Sequence, residues 1–181
     1  MGRLAPIDLE TMTAEQRRVA DAIRSGPRGG MRGPFEAWLR SPGLADPAQQ
    51  LGAHARFGTG LPNDLVELAI LLTGKRWRAQ FEFWAHARLA RQAGLPDAVI
   101  EANRVGEVPL LERADLQLAY DVVSEYFATN RLAGATYGRA IEMLGEQGLV
   151  DLIGVVGYYG LVSMTLNVFE VEVPEGERPP L

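Results

Sequence analysis

The sequence predicts an all-α fold, and three observations carry that expectation. Apolar residues recur at helical spacing, most clearly Leu116, Leu118, Ala119, Val122, Val123, Tyr126 and Phe127. Helix start and stop signals punctuate the chain, from the Thr13-Ala14-Glu15-Gln16 capping box to the glycine at 94. No useful length of chain alternates polar and apolar residues. The run Val168-Phe169-Glu170-Val171-Glu172-Val173 is the one strand candidate, and one strand makes no sheet.

The elements follow in order. Thr13 is expected to cap a helix to about residue 25, with its hydroxyl on the Gln16 N–H and the Gln16 side chain reaching back. The glycines and prolines between 26 and 34 make a loop, and a short helix from 34 to about 40 ends at Ser41-Pro42-Gly43. Asp46-Pro47 opens a helix to 57, with proline at its first position. Asn63 caps a helix from 64 to about 72, which Gly74-Lys75-Arg76 breaks. A helix from about 76 to 93 stops at Gly94, a glycine placed for the left-handed cap. Helices are expected at about 97–104, 112–129, 136–147 and 149–169, and the proline-bearing tail reads as extended, either lying on a neighbour or frayed. One domain of 181 residues results: a helix and loop over 1–45, a core over about 46–171 and a tail over 172–181.

A chain of this length buries roughly two-thirds of its unfolded surface, enough for a substantial core. The apolar fraction of 47% and charged fraction of 23% are ordinary for a globular domain. A net charge of −5 argues against a nucleic-acid partner. There are no cysteines, which excludes disulfides, zinc–thiolate sites and thiol catalysis. The start of the chain has no apolar signal core, and the most apolar stretch, 149–171, is interrupted by Asp151, Ser163, Asn167 and Glu170. No membrane partner and a cytoplasmic location are therefore expected. Leu65-Val66-Glu67-Leu68 is echoed by Leu149-Val150-Asp151-Leu152, either a remnant of a duplicated two-helix unit or chance.

The stretch 67–94 carries the chemistry. Glu67, Glu82 and His86 interrupt a run that is otherwise apolar or aromatic. Ala79, Glu82 and His86 fall three and four residues apart, on one face of the expected helix. A short connection makes the preceding helix an antiparallel neighbour, so Glu67 can face His86. Burial lowers an imidazole pKa and neighbouring carboxylates raise it, so such a cluster can hold or move a proton near pH 7. The plain alternative is an ordinary i,i+4 contact on a solvated or subunit-facing surface. Three N/O ligands also suit a divalent ion, but Glu-x-x-x-His is common on helices and no second histidine lies nearby. No metal and no cofactor are expected.

The spacing from Glu67 to Ala79, Glu82 and His86 resembles the alkylhydroperoxidase-D-like motif of a Glu, a Cys-x-x-Cys pair and a His four residues on, with Ala79 and Glu82 standing where the cysteines would be. Arg76-Trp77, Gln80-Phe81-Glu82-Phe83-Trp84, His86-Ala87, Ala90 and Ala93-Gly94-Leu95 are similar to the cysteine-free branch of the carboxymuconolactone decarboxylase family. Gly157-Tyr158-Tyr159 and Thr165-Leu166-Asn167 also resemble that branch, so the likeness spans about 35–175. It implies an alkylhydroperoxidase-D-like helical fold around a buried central helix pair. It also implies a homo-oligomer (dimer, trimer or hexamer) and a pocket at Glu67 and His86. The family's decarboxylation of a lactone acid needs a proton delivered to carbon, whereas its peroxide reduction needs a thiolate that this chain lacks.

On that reading the partner is a small carboxylate, lactone or enolisable acid, turned over by a lyase or isomerase. His86 shuttles the proton, Glu67 orients it, and Glu82 is a second acid–base group or a substrate contact. Arg56 or Arg76 pairs the substrate's charge. Tyr159 and Asn167 bind substrate or tie their helix to its neighbours, with Tyr158 in the same position. His54 either joins the pocket or is a partly exposed helix residue. Trp77, Phe81 and Trp84 form one stripe for core or interface packing. Arg28 and Arg32, in a glycine-rich loop without a P-loop ending, either greet an anion or belong to a plain loop. The competing function is a non-catalytic ligand-binding or scaffold oligomer in which the cluster is a structural knot.

Overall fold

The computed structural model describes residues 2–8, 10–27 and 30–181. Met1, Leu9, Arg28 and Gly29 lie outside the described residues, and with them the proposed role of Arg28. Eight helices make up the described chain, and no strand occurs among those residues. They are α1 (Ala14–Ser25), α2 (Phe35–Trp38), α3 (Pro42–Phe57), α4 (Asn63–Arg76), α5 (Gln80–Gln92), α6 (Asp97–Val105), α7 (Ala114–Thr129) and α8 (Gly134–Val168).

Helix α4 is the centre. Leu65, Val66, Leu68, Ala69, Ile70, Leu71 and Thr73 are all buried, so the helix is apolar nearly all round. It packs against α5, α6, α7 and α8. The second half of α8 is the other buried helix, contributing Leu152, Val155, Val156, Tyr158, Tyr159, Val162 and Leu166 to the same core. Helices α1 and α2 pack on α3, whose small buried face of Ala45, Ala48, Gly52 and Ala55 lets α8 approach.

The capping box at Thr13 forms as expected: Gln16 N donates to Thr13 Oγ1 at 3.2 Å and Thr13 N donates to Gln16 Oε1 at 2.9 Å. Elsewhere the boundaries differ, for identifiable reasons. Helix α3 begins at Pro42 with Ser41 as its cap, so Pro47 sits inside the helix instead of opening it. Pro42 takes the first-turn position where a missing N–H is harmless, and the carbonyl that Pro47 leaves without a donor belongs to exposed Gly43. Helix α4 runs through Gly74 rather than breaking there, and Pro62, not Asn63, precedes it. A lone helical glycine costs only about 1 kcal/mol, which the packing of this buried helix outweighs.

The α4–α5 connection is three residues long. Arg78 takes the left-handed conformation (φ 52°), Ala79 N donates to Gly74 O at 2.9 Å and Arg78 N to Lys75 O at 3.0 Å, a Schellman turn built without glycine. Helix α5 therefore starts at Gln80, with Ala79 as its extended N-cap and Trp77 as the C-cap of α4. The expected glycine cap at 94 is present, with φ 94°. The two helices expected over 136–169 form one 35-residue element broken at Gly145, whose φ of 70° and ψ of 174° suit only glycine. Helix α8 is long and apolar enough to cross a membrane by composition alone, but 61% of its most apolar window is buried within the fold.

The tail forms no strand and does not extend away. Gln80 Nε2 donates to Leu181 O and Leu181 N donates to Gln80 Oε1, both at 2.8 Å, so the tail lies back over the chain's own α5.

Candidate functional site

Antiparallel packing of α4 on α5 brings Glu67 and His86 together. His86 Nδ1 lies 2.7 Å from Glu67 Oε2, and His86 Nε2 lies 3.0 Å from Glu82 Oε1, one turn earlier on α5. Exposures of 7%, 3% and 6% for Glu67, Glu82 and His86 rule out a solvated surface contact. The Glu67 contact is a hydrogen bond. The Glu82 contact is an ion pair off the hydrogen-bond line, because Glu82 Oε1 is buried without a hydrogen-bond partner.

Burial pulls the His86 pKa down, but the charge of Glu67, then that of Glu82, and their hydrogen-bonding pull outweigh it and raise it to about 9. At neutral pH the site is an imidazolium between two acids, with its Nδ1–H directed at Glu67 and its Nε2 beside Glu82. Tyr159 packs its ring edge-on to the imidazole, with centroids 5.0 Å apart and planes at 77°. Burial, then the nearby charges of Glu82 and Glu67, push the Tyr159 phenol well above its ordinary value, against the pull of Arg56, so it stays a neutral hydroxyl.

Glu82 and His86 form part of the wall of a cleft of about 570 Å³. Tyr158, Tyr159, Phe81 and Trp84 line it with apolar surface, and Arg32, Arg56 and Arg88 bring three guanidinium groups. A concave wall that combines aromatic surface with convergent polar groups is a usual form of a small-molecule site. Arg32 comes from the glycine-rich loop, which thus borders the cleft. Arg88 and Leu89, on the outer part of α5, were not singled out from sequence. The i,i+3 and i,i+7 relation of Leu89 and Arg88 to His86 and Phe81 was the available signal.

Not every expected residue arrives. Arg76 is exposed at the end of α4 and does not line the cleft. Asn167 is also elsewhere: its Nδ2 donates to Trp77 O at 2.7 Å, tying α8 to the α4–α5 turn. Ala79 is buried but off the helical face of Glu82 and His86, because α5 starts one residue later. Trp77 is 41% exposed and separate from the tilted Phe81–Trp84 pair (5.7 Å), so the single aromatic stripe does not form. His54 lies outside the cleft, with Nε2 at 3.0 Å from Asp151 Oδ1.

The Leu-Val-acid-Leu echo takes on a physical form here, since each of its carboxylates meets one of the two histidines. The partners do not follow a tandem repeat, lying nineteen residues after Glu67 and ninety-seven before Asp151. No cluster of three or more potential metal ligands with suitable geometry occurs among the described residues. Compared with known proteins, the chain matches no family model, no curated protein and no solved structure.

Proposed function

We propose that this chain is a small-molecule enzyme of the lyase type, akin to the cysteine-free carboxymuconolactone decarboxylases, in which Glu67, His86 and Glu82 handle a proton. The observation that supports this most is a histidine between two carboxylates, at 2.7 Å from Glu67 and 3.0 Å from Glu82, with His86 and Glu82 on the wall of an arginine-bearing cleft. A central buried helix packed on the helix that bears the histidine is consistent with an alkylhydroperoxidase-D-like arrangement.

In the proposed reaction, Arg56 pairs the substrate's negative charge at the cleft and Tyr159 offers a neutral hydroxyl. Loss of carbon dioxide leaves an electron pair on carbon, and the His86 imidazolium donates its proton there. The neutral imidazole between two carboxylates then regains a proton from solvent, because both charges favour the protonated ring. A small carboxylate, lactone or enolisable acid fits this chemistry. Self-association belongs to the same reading, and Val150, Ile153, Met164 and Val168, exposed apolar residues on α8, support it.

The test is carbon dioxide release and deuterium uptake from heavy water on a panel of γ-lactone carboxylates and other enolisable acids. A substrate turned over by the wild type and slowed by roughly 100-fold or more in His86→Ala, with assembly retained, is expected. An unchanged rate in His86→Ala contradicts the reading.

One observation favours a second reading, a non-catalytic oligomer with a structural polar knot: both ring nitrogens of His86 already face carboxylates. That reading expects His86→Ala to lose melting temperature and assembly by several kcal/mol, through uncompensated buried carboxylates.

A further inference from the structure

The cleft carries a cation whose present partner is exchangeable. Arg88 rests its guanidinium over the Trp84 ring, 4.6 Å from the centroid. Its Nη2 donates to Glu177 Oε1 at 2.7 Å. Arg88 lines the cleft, whereas Glu177 belongs to the tail.

The tail leaves the C-terminal turn of α8, where Val171 N donates to Leu166 O at 2.9 Å, and is tied down beyond Glu177. After it, Leu181 exchanges two hydrogen bonds with Gln80, and Arg104 Nη1 donates to Pro180 O at 3.1 Å. Glu177 itself closes a turn by donating its N–H to Pro174 O at 3.0 Å. Phe81 lines both the cleft and a second space of about 560 Å³ beneath the tail. Tail and cleft therefore share a wall and an ion pair.

We propose that Arg88 is a second anion-binding group of the cleft, beside Arg56, and Glu177 its placeholder, so that a carboxylate entering the cleft takes Arg88 from Glu177 and loosens the tail strap. This rests on the reading that the cleft takes a small anionic molecule. The ion pair is open to solvent, with side-chain exposures of 57% for Arg88 and 39% for Glu177, and exposed pairs of this kind are weak, so one carboxylate replaces another at little cost. The indole already holds the guanidinium in place, which spares the ligand the cost of ordering it. Arg56, over Phe57 at 4.8 Å, is the cation beside Tyr159, whereas Arg88 is the one that the tail carboxylate holds. Linkage makes the effect reciprocal: whatever factor the docked tail takes from ligand affinity, the ligand takes from tail docking.

Benzoate, a carboxylate on an apolar ring, is the probe. The full chain is titrated with it and followed by the indole N–H signal of Trp84, assigned with Trp84→Phe. Glu177→Gln is expected to bind benzoate about three- to five-fold more tightly than wild type. Arg88→Gln is expected to bind about ten-fold more weakly, and Glu177→Gln to change nothing further in that background. Saturating benzoate should also speed amide hydrogen exchange over 172–181 in the wild type but not in Arg88→Gln. Equal or weaker binding by Glu177→Gln overturns the proposal. Benzoate binding that is indifferent to Arg88 sinks the strap and leaves the anionic cleft standing, whereas no binding by any variant sinks both.

Discussion

His86 Nδ1 and Glu67 Oε2 meet at 2.7 Å across the α4–α5 interface, although nineteen residues separate them. That contact, with Glu82 on the ring's other nitrogen, holds the His86 pKa at about 9 against an ordinary 6.5. A histidine whose folded pKa is raised stabilises the fold fully below the unfolded pKa and loses that contribution as pH climbs through the folded one. The unfolding free energy should therefore fall by roughly 3 kcal/mol between pH 6.5 and about 9.5. Urea melts across that window check it, and His86→Gln should flatten the decline. A wild-type profile without a decline contradicts the assigned charge state.

Trp38 and Thr165 form a buried cross-link between α2 and α8, with Trp38 Nε1 donating to Thr165 Oγ1 at 2.9 Å. Thr165→Val keeps the shape and removes the acceptor, leaving an indole N–H in the core without a partner. A loss of about 1–3 kcal/mol is expected. Denaturant melts with an unchanged slope provide the measurement, and a loss below about 0.5 kcal/mol would mean that Trp38 finds another acceptor.

Arg78 holds a left-handed backbone in the turn that sets the register of α5. Glycine adopts that conformation without the Cβ penalty but loses more entropy on folding, so the two effects partly cancel. Arg78→Gly is expected to gain about 0.5–1 kcal/mol without moving Glu82 or His86. A loss of stability would show that the Arg78 side chain contributes more than its backbone costs.

Helix content was legible because capping and periodicity are local: Thr13 and Gln16 form their box, and Gly94 ends α5. Glu67 and His86 were legible as a pair because polar side chains on apolar helices must meet something, and a short connection leaves few partners. Helix α4 continues through Gly74, where the sequence predicts a break, because burial on all sides of α4 outweighs one residue's propensity. Pro47 lies inside α3 because Ser41-Pro42 is an equally good start about one turn earlier. Arg76 and Asn167 illustrate another limit. Periodicity assigns a face, but the path of the α4–α5 turn decides which cleft that face meets, and a turn built on left-handed Arg78 carries no glycine signal. The folded-back tail depends on contacts about a hundred residues apart, between Gln80 and Leu181, which no local pattern encodes.

The central claim is that the cleft wall stores a proton on His86 at neutral pH, and nitrogen-detected NMR of the imidazole tests it most directly. At pH 7 both ring nitrogens should give protonated shifts, with titration centred near pH 9. Glu67→Gln should lower that midpoint more than Glu82→Gln does, following the larger influence of the Glu67 charge. A single neutral tautomer at pH 7, with one bare ring nitrogen, would contradict the account and leave His86 as a base rather than a proton store.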